Sequence, residues 1–417
     1  MYITIWIISF LTIAGVIIRP FQIAEAFWAV GGALILVISG LILPTDGLAG
    51  ITKGTDVYLF LTGMMLLAET AREEKLFDWM AAHATKAAKG SANKLFLLIY
   101  LVGIVVTAFL SNDATAVVLT PAVAAATKAA KVKNPIPYLL ICAFISNAAS
   151  FILPISNPAN LVIYGHHMPT LMHWLAIYLL PSLVAISITY IVLIFTQRKI
   201  LADKIESNIT IPVLSRGGKT AIYGIVATAV ILLISSSANI QLGLPTAITG
   251  ILTSAIVILS AKKSPLIVIR GVSWSVIPLV AGLFVIVEGL SKTGIIQTLT
   301  NSLTQSASNA PTATAWGSGV IIAFSCNFMN NLPVGLIAGH ILQGGLITDL
   351  VKSAILIGVD LGPNLSITGS LATILWLVAL KREGLSISFW DFLKLGSLVM
   401  TTALLLTIAS IWLLYIL

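Results

Sequence analysis

The chain has 417 residues, of which 58% are hydrophobic and 9% charged, and its mean hydropathy is +1.04. A water-soluble domain carries about 25% charged residues, so this chain cannot cover a folded body with polar surface; a soluble enzyme, a nucleic-acid binder and a disordered scaffold are excluded. The net charge of +8 then marks one side of a bilayer, and two cysteines, Cys142 and Cys326, give neither a disulfide framework nor a metal knuckle, so no metal or cofactor is expected.

A membrane-crossing helix needs about 20 mostly apolar residues. The first candidate is 2–18, which lacks the basic start and small-residue cleavage site of a signal peptide and reads as a retained helix. The next are 22–43 and 57–71, followed by 73–90, whose pattern is that of an amphipathic helix on a membrane surface. Segment 95–127 is long and apolar but broken at its middle by Ser111-Asn112-Asp113. Segment 137–165 is interrupted by Ser, Asn and Pro, and 174–196 is a clear span. A polar, basic stretch at 198–219 follows, then spans at 220–237, 246–261 and 273–290. Segment 314–343 is broken at Asn330-Asn331, segment 350–380 around Gly362-Pro363, and 393–416 closes the chain as a last span.

Lipid offers no hydrogen bonds to open backbone, so non-helical chain at membrane depth is buried in protein or lines water. The breaks in 95–127 and 314–343 therefore read as the tips of re-entrant hairpins, and 137–165 and 350–380 as broken helices. With the hairpins returning to the face they leave, 20 of the 23 Lys and Arg residues fall on one side and only Lys53, Lys292 and Lys352 on the other. By the positive-inside rule the richer side is cytoplasmic. Both termini are then external, and the chain is a multi-pass protein of the cell (inner) membrane.

The halves repeat. Gly63 and Glu69 match Gly282 and Glu288 at an offset of 219, and the break at 109–114 matches 328–333 at 218. Segment 146–160 matches 359–373 at 213. The expected fold is an all-α membrane protein, an inverted-topology repeat of two five-helix halves, each with a re-entrant hairpin and a broken helix. Its parts are 1–197, with hairpin 95–127 and broken helix 137–165; a cytoplasmic linker 198–219; and 220–417, with hairpin 314–343 and broken helix 350–380. Secondary transporters are built this way, with the site near the midplane at discontinuous helices. No GxxxxGK[ST] motif occurs, so the chain does not hydrolyse ATP itself.

Of the fifteen acids, Asp113 and Asp360 lie farthest from any loop, while Glu25, Glu69 and Glu288 lie near helix edges. An acidic side chain at the bilayer centre costs about 2.5–3.5 kcal/mol on insertion scales, so it tends to face an internal pathway. Asp113 and Asp360 are the candidates for carrying protons, although an aspartate where a helix restarts also serves as a cap. Ser111, Asn112, Ser156, Asn157, Asn330, Asn331, Thr368, Gly369 and Ser370 are the expected substrate contacts. Free helix termini and side-chain amides make a lining dense in hydrogen bonds, and no Lys or Arg stands at that depth to neutralise an anion. Such a lining suits an uncharged polar solute. Cys326 is a candidate soft contact for a metalloid, against its ordinary reading as a small core residue. His166, His167, His173 and Trp174 gather at the external end of a span, as interfacial residues do.

At the breaks, AFLSNDATAVVLTP (108–121), ISNPANLV (155–162), FMNNLPVGLIAG (328–339) and GVDLGPNLSITGSLATILWL (358–377) resemble the arsenite/antimonite efflux permeases of the ArsB type, within the ion transporter superfamily. The likeness extends through nearly the whole chain. It implies export of trivalent arsenite or antimonite as neutral trihydroxylated species in exchange for protons. It also implies optional association with a separate arsenite-stimulated ATPase subunit. The Ser-Asn-Thr tips of the superfamily's dicarboxylate carriers are absent, and Asn147 stands where the resemblance implies an acidic residue. The rival readings are a Na⁺/H⁺ antiporter of the same architecture, a passive metalloid channel, and an intramembrane aspartyl protease, whose Gly-x-Gly-Asp motif is missing.

Overall fold

The computed structural model describes residues 1–165, 168–206 and 209–416. His166 and His167 lie outside the described residues. Among the described residues six stretches are long and apolar enough to cross a membrane: Ala92–Leu110, Leu171–Gln197, Arg216–Ser237, Gly243–Ala261, Pro265–Lys292 and Phe389–Ile416.

The chain opens with α1 (Tyr2–Ile18), α2 (Glu25–Ile38), the short α3 (Pro44–Lys53) and α4 (Thr55–Glu73). An amphipathic α5 (Leu76–Ala87) leads to α6 (Ala92–Leu110), which stops at Ser111. The chain restarts as α7 (Asn112–Ala114), passes through a π-helical turn at Thr115–Leu119 and ends in α8 (Thr120–Ala129). Then come α9 (Ile136–Ala148), a 3₁₀ turn at Pro154–Ser156, α10 (Pro158–Tyr164) and α11 (Leu171–Gln197). After the linker the succession is α12 (Arg216–Ser237), α13 (Gly243–Ala261), the short α14 (Pro265–Gly271), α15 (Val276–Lys292), α16 (Ile295–Asn309), α17 (Pro311–Met329), α18 (Asn331–Gln343) and α19 (Asp349–Leu361). A 3₁₀ turn at Gly362–Leu365, α20 (Leu371–Arg382) and α21 (Phe389–Ile416) complete it. The two short helices α3 and α14 are unforeseen by hydropathy, since neither is long enough to register as a span.

Small residues decide where helices cross. A Cβ on Gly63 of α4 would stand 2.1 Å from Thr246 O on α13, and one on Gly250 of α13 would stand 2.4 Å from Gly63 O. On α15, a Cβ on Gly282 would stand 2.6 Å from the Ala29 carbonyl carbon of α2. Without Cβ atoms the backbones pack directly, as membrane helices do where apolar burial supplies little driving force. The second crossing body holds α9, α11, α17, α19, α20 and α21. In it Trp376 donates to Leu139 O at 2.8 Å, and Phe144 stacks on Phe392 with ring centroids 5.1 Å apart.

The path of 91–129 is fixed at its feet. The Ile205 N–H donates to Gly90 O at 3.1 Å and the Glu206 N–H donates to Ala130 O at 2.8 Å. Both ends of the segment are thus tied to one short tract, Ile205 and Glu206. Both α6 and α8 also pack on α5. In the second half α17 and α18 both pack on α16 in the same manner.

Candidate functional site

Each hairpin break is made by a residue in an unusual backbone region. Ser111 has φ 92° and ψ 161°, and Asn330 has φ 68° and ψ 151°. That region is nearly reserved for glycine and costs about 1–3 kcal/mol for other residues. Each break also frees helix-terminal N–H groups. Asn112 Oδ1 accepts from the Asp113 N–H at 2.9 Å, and Asn330 Oδ1 accepts from the Leu332 N–H at 3.3 Å.

The broken helices are capped in parallel fashion. Asn157 is extended before Pro158 and its Oδ1 accepts from the Ala159 N–H at 3.0 Å. Ser370 is extended before α20 and its Oγ accepts from the Thr373 N–H at 3.1 Å. Each broken helix then receives a hairpin: Ser156 Oγ donates to Ala108 O at 3.0 Å, and the Asn331 N–H donates to Gly369 O at 2.9 Å. Thr368 Oγ1 donates to Asn327 O at 3.2 Å, and Ser366 Oγ donates to Asn327 Oδ1 at 2.7 Å.

A narrow cleft runs along α4 from Phe60 to Glu69. Across from α4 it is walled by Ser111, Asp113, Ala114, Val117 and Val118 around the first break, by Pro158 of α10 and Leu375 of α20, and by Gly271 at the end of α14 with Val272 and Ser273 after it. Its polar side chains are Glu69, Ser111, Asp113 and Ser273. Among the described residues no Lys, Arg or His lines it. No described hydrogen bond or ion pair reaches the Asp113 carboxylate, whereas its backbone is fixed by Asn112. Asp113 is thus an acid presented to a largely apolar cleft without a counter-ion at hand.

Asp360 is placed differently. It is fully buried and does not line the cleft. Its Oδ1 accepts from Asn157 Nδ2 at 2.6 Å and from Ser150 Oγ, while Oδ2 has no partner among the described residues. The sequence offers it as a proton carrier or a helix cap; the structure gives it two donors from the other half of the chain. Asn147, likewise buried, donates to Asn364 Oδ1 at 3.0 Å, another link between halves.

The candidate residues therefore divide. Ser111 and Asp113 line the cleft with Pro158; Asn157 and Ser156 stand directly behind that wall; Asn330, Asn331, Thr368, Gly369 and Ser370 form a second contact around the other tip and do not line the cleft. Cys326 is fully buried and its Sγ lies 3.8 Å from Val359 O, between α17 and α19. It is a packing residue rather than a soft contact in the cleft. Glu69 escaped the sequence reading, which set it at a helix edge. It is 6% exposed, lines the cleft and is held by Arg72, whose Nε donates to Glu69 Oε2 at 2.8 Å. The signal that finds it is its match to Glu288, which is likewise buried and paired, with Lys53 Nζ at 2.6 Å.

A second cavity is lined by Lys53, Asp56 and Val57 at the start of α4 and before it, by Leu161, Val162 and Gly165, and by Phe284, Leu336 and His340. On α4 it ends at Val57 where the cleft begins at Phe60; on α10 it starts at Leu161 where the cleft ends at Pro158. About one helical turn of each helix separates the two.

The profile of the citrate transporter family, CitMHS, matches residues 7–358. The arsenical pump membrane protein of Yersinia enterocolitica is 28% identical over 81% of this chain and 82% of its own length. The protein of the same description from Escherichia coli K12 is 26% identical over 96% of each chain. Among solved structures, the Alcanivorax borkumensis YdaH transporter, described as having an unusual topology, superposes with a TM-score of 0.59 at 12% identity, covering 90% of this chain and 89% of that one. Neisseria gonorrhoeae MtrF, described with a class of antimetabolite efflux pumps, superposes at 0.55 and 12% identity over 98% and 94%. These two share the fold. With helices fit to cross a bilayer, a paired set of broken helices and a family profile spanning most of its length, the chain belongs to the citrate transporter family, CitMHS, and is a multi-pass membrane transporter.

Proposed function

We propose that this transporter exports trivalent arsenic and antimony as neutral trihydroxides in exchange for protons, with Asp113 as the coupling carboxylate. The observation that carries the reading is the cleft itself: it offers Ser111 and Asp113 at a helix break and, among the described residues, has no basic lining side chain. A neutral hydroxylated solute finds donors and acceptors there, whereas a citrate-like anion would meet the Asp113 carboxylate and a Glu69 whose partner Arg72 is already engaged, with no Lys or Arg among the described lining residues to receive it. The relatives described as arsenical pumps agree with the first cargo.

A neutral solute gains nothing from membrane potential, so its concentrative export needs a coupled ion, and an acid facing an internal cleft can take up and release a proton. Two cavities end to end along α4 and α10 favour alternating exposure of one site to the two faces. We read the halves as inverted repeats, supported by the matched breaks at Ser111 and Asn330 and the matched crossings at Gly63 and Gly282. The division into 1–197, linker 198–219 and 220–417 rests on the same correspondence. Asp360 in this reading is a positioning residue: it holds Asn157 and Ser150, and through them the cleft wall at Pro158.

The test is arsenic accumulation in a cell lacking its own arsenite permease, with and without an uncoupler. Expression should lower accumulation, and the uncoupler should abolish the difference. Accumulation unaffected by the protein would contradict the assignment. A sodium gradient sustaining transport in the uncoupler's presence would favour the sodium-coupled relative instead.

A further inference from the structure

We infer that Glu69 is the carboxylate through which protons leave the cleft for the cytoplasm, with Arg72 as its positioning partner; this rests on the proton-coupled reading above. Asp113 and Glu69 are the two acids lining the cleft. Asp113 sits at the break, while Glu69 is one turn from the end of α4, beside residues that reach water. Its own side chain is buried, but Arg72, which grips both of its oxygens, is 43% exposed. The carboxylate thus bridges a closed interior and an open surface.

Local packing is arranged around this side chain. Gly271, at the end of α14, has no Cβ where one would collide with the Glu69 carboxylate. The charged groups around the pair are Arg72 and Glu73 on α4, Asp78 on α5, whose charge acts on Arg72, Asp113 in the cleft, and Arg270 preceding Gly271 on α14. The Glu73 carboxylate takes a second bond from Arg72 at 2.9 Å, which fixes the guanidinium from the solvent side.

The transfer balances simply. The Asp113 O–H bond breaks and the proton passes through water to a Glu69 oxygen. The new O–H bond then breaks in turn and delivers the proton to cytoplasmic water. Asp113 is left as the anion, ready for the next proton from the opposite face.

The experiment compares two modes in everted vesicles loaded with the wild type or with Glu69→Gln. Net arsenite uptake driven by a pH gradient requires a proton to be discharged in every cycle. Exchange of labelled for unlabelled arsenite shuttles the loaded carrier and discharges none. Glu69→Gln should slow net uptake about tenfold or more, in the range of a lost proton-transfer group, and leave exchange within about twofold of wild type. Glu69→Asp should recover much of the net rate. Net uptake and exchange falling together, or neither falling, would overturn the inference. If Glu69→Gln does not reach the membrane, Glu69→Ala takes its place: a slowed net rate with exchange preserved supports the inference, and an unchanged net rate overturns it. Wild-type vesicles without any pH-driven uptake would instead reject the proton-coupled reading itself.

Discussion

Asn157 Nδ2 donates to Asp360 Oδ1 across 2.6 Å, so the restart of the first broken helix is held by the last turn of α19 from the other half of the chain. The same oxygen takes the Ser150 hydroxyl, and the second oxygen of Asp360 has no partner among the described residues. One carboxylate therefore sets the geometry of the turns and 3₁₀ segment between α9 and α10, and Pro158, which opens α10 directly after them, stands in the cleft wall.

Because both donors converge on one oxygen, Asp360→Asn can keep both bonds through its amide carbonyl, whereas Asp360→Leu leaves two buried donors unsatisfied. Each such loss costs about 1–3 kcal/mol. We expect thermal unfolding in detergent to be nearly unchanged for Asp360→Asn and clearly lowered for Asp360→Leu. Equal melting of the two would remove Asp360 from the positioning role.

Ser156 is fully buried and its hydroxyl reaches Ala108 O just before the first break. Ser156→Ala removes the donor and leaves that carbonyl at a helix end short of a partner. The expected outcome is a stability loss of about 1–2 kcal/mol, read as a lower melting temperature. A melting temperature equal to wild type would mean that another group ties hairpin to broken helix.

Gly63→Ala and Gly282→Ala each push a Cβ into the backbone of a crossing helix, at α13 and α2 respectively. Neither neighbour is a flexible side-chain end, so the helices must separate. Overpacking of this kind costs about 1–3 kcal/mol or more. Both variants should accumulate poorly in membranes, and to a similar degree. Normal accumulation of either would contradict the close crossing.

Sidedness is open to a labelling test. Lys204 belongs to the linker tract that binds the feet of the first hairpin, and Lys352 lies on α19 near Asp349. Both native cysteines are buried and should stay silent to a membrane-impermeant maleimide. Lys204→Cys should label only in everted vesicles and Lys352→Cys only in right-side-out ones. The reverse pattern would invert the topology read from the distribution of basic residues.

Much of this was legible in the sequence, for definable reasons. The breaks at Ser111 and Asn330 show because polar residues interrupt apolar runs, and Gly63 and Gly282, singled out by their matching sequence surroundings, each stand at a close helix crossing. What stayed hidden depends on contacts between distant residues. Asp360 finds its donors 203 and 210 positions away, which no local pattern announces. Glu69 looked peripheral because helix-edge position does not reveal which face turns toward a cleft. The positive φ of Ser111 and Asn330 was equally hidden, since neither residue is the glycine that usually marks such a backbone. The two hairpin tips also looked alike as candidate site elements, yet only the first one lines the cleft.

The central claim is that Asp113 couples solute to protons, and the most direct measurement is arsenite uptake into everted vesicles under an imposed pH gradient, wild type against Asp113→Asn. The account predicts that wild-type uptake rises with the gradient, and that Asp113→Asn loses this dependence and falls about tenfold or more. Unchanged gradient-driven uptake by Asp113→Asn would contradict it.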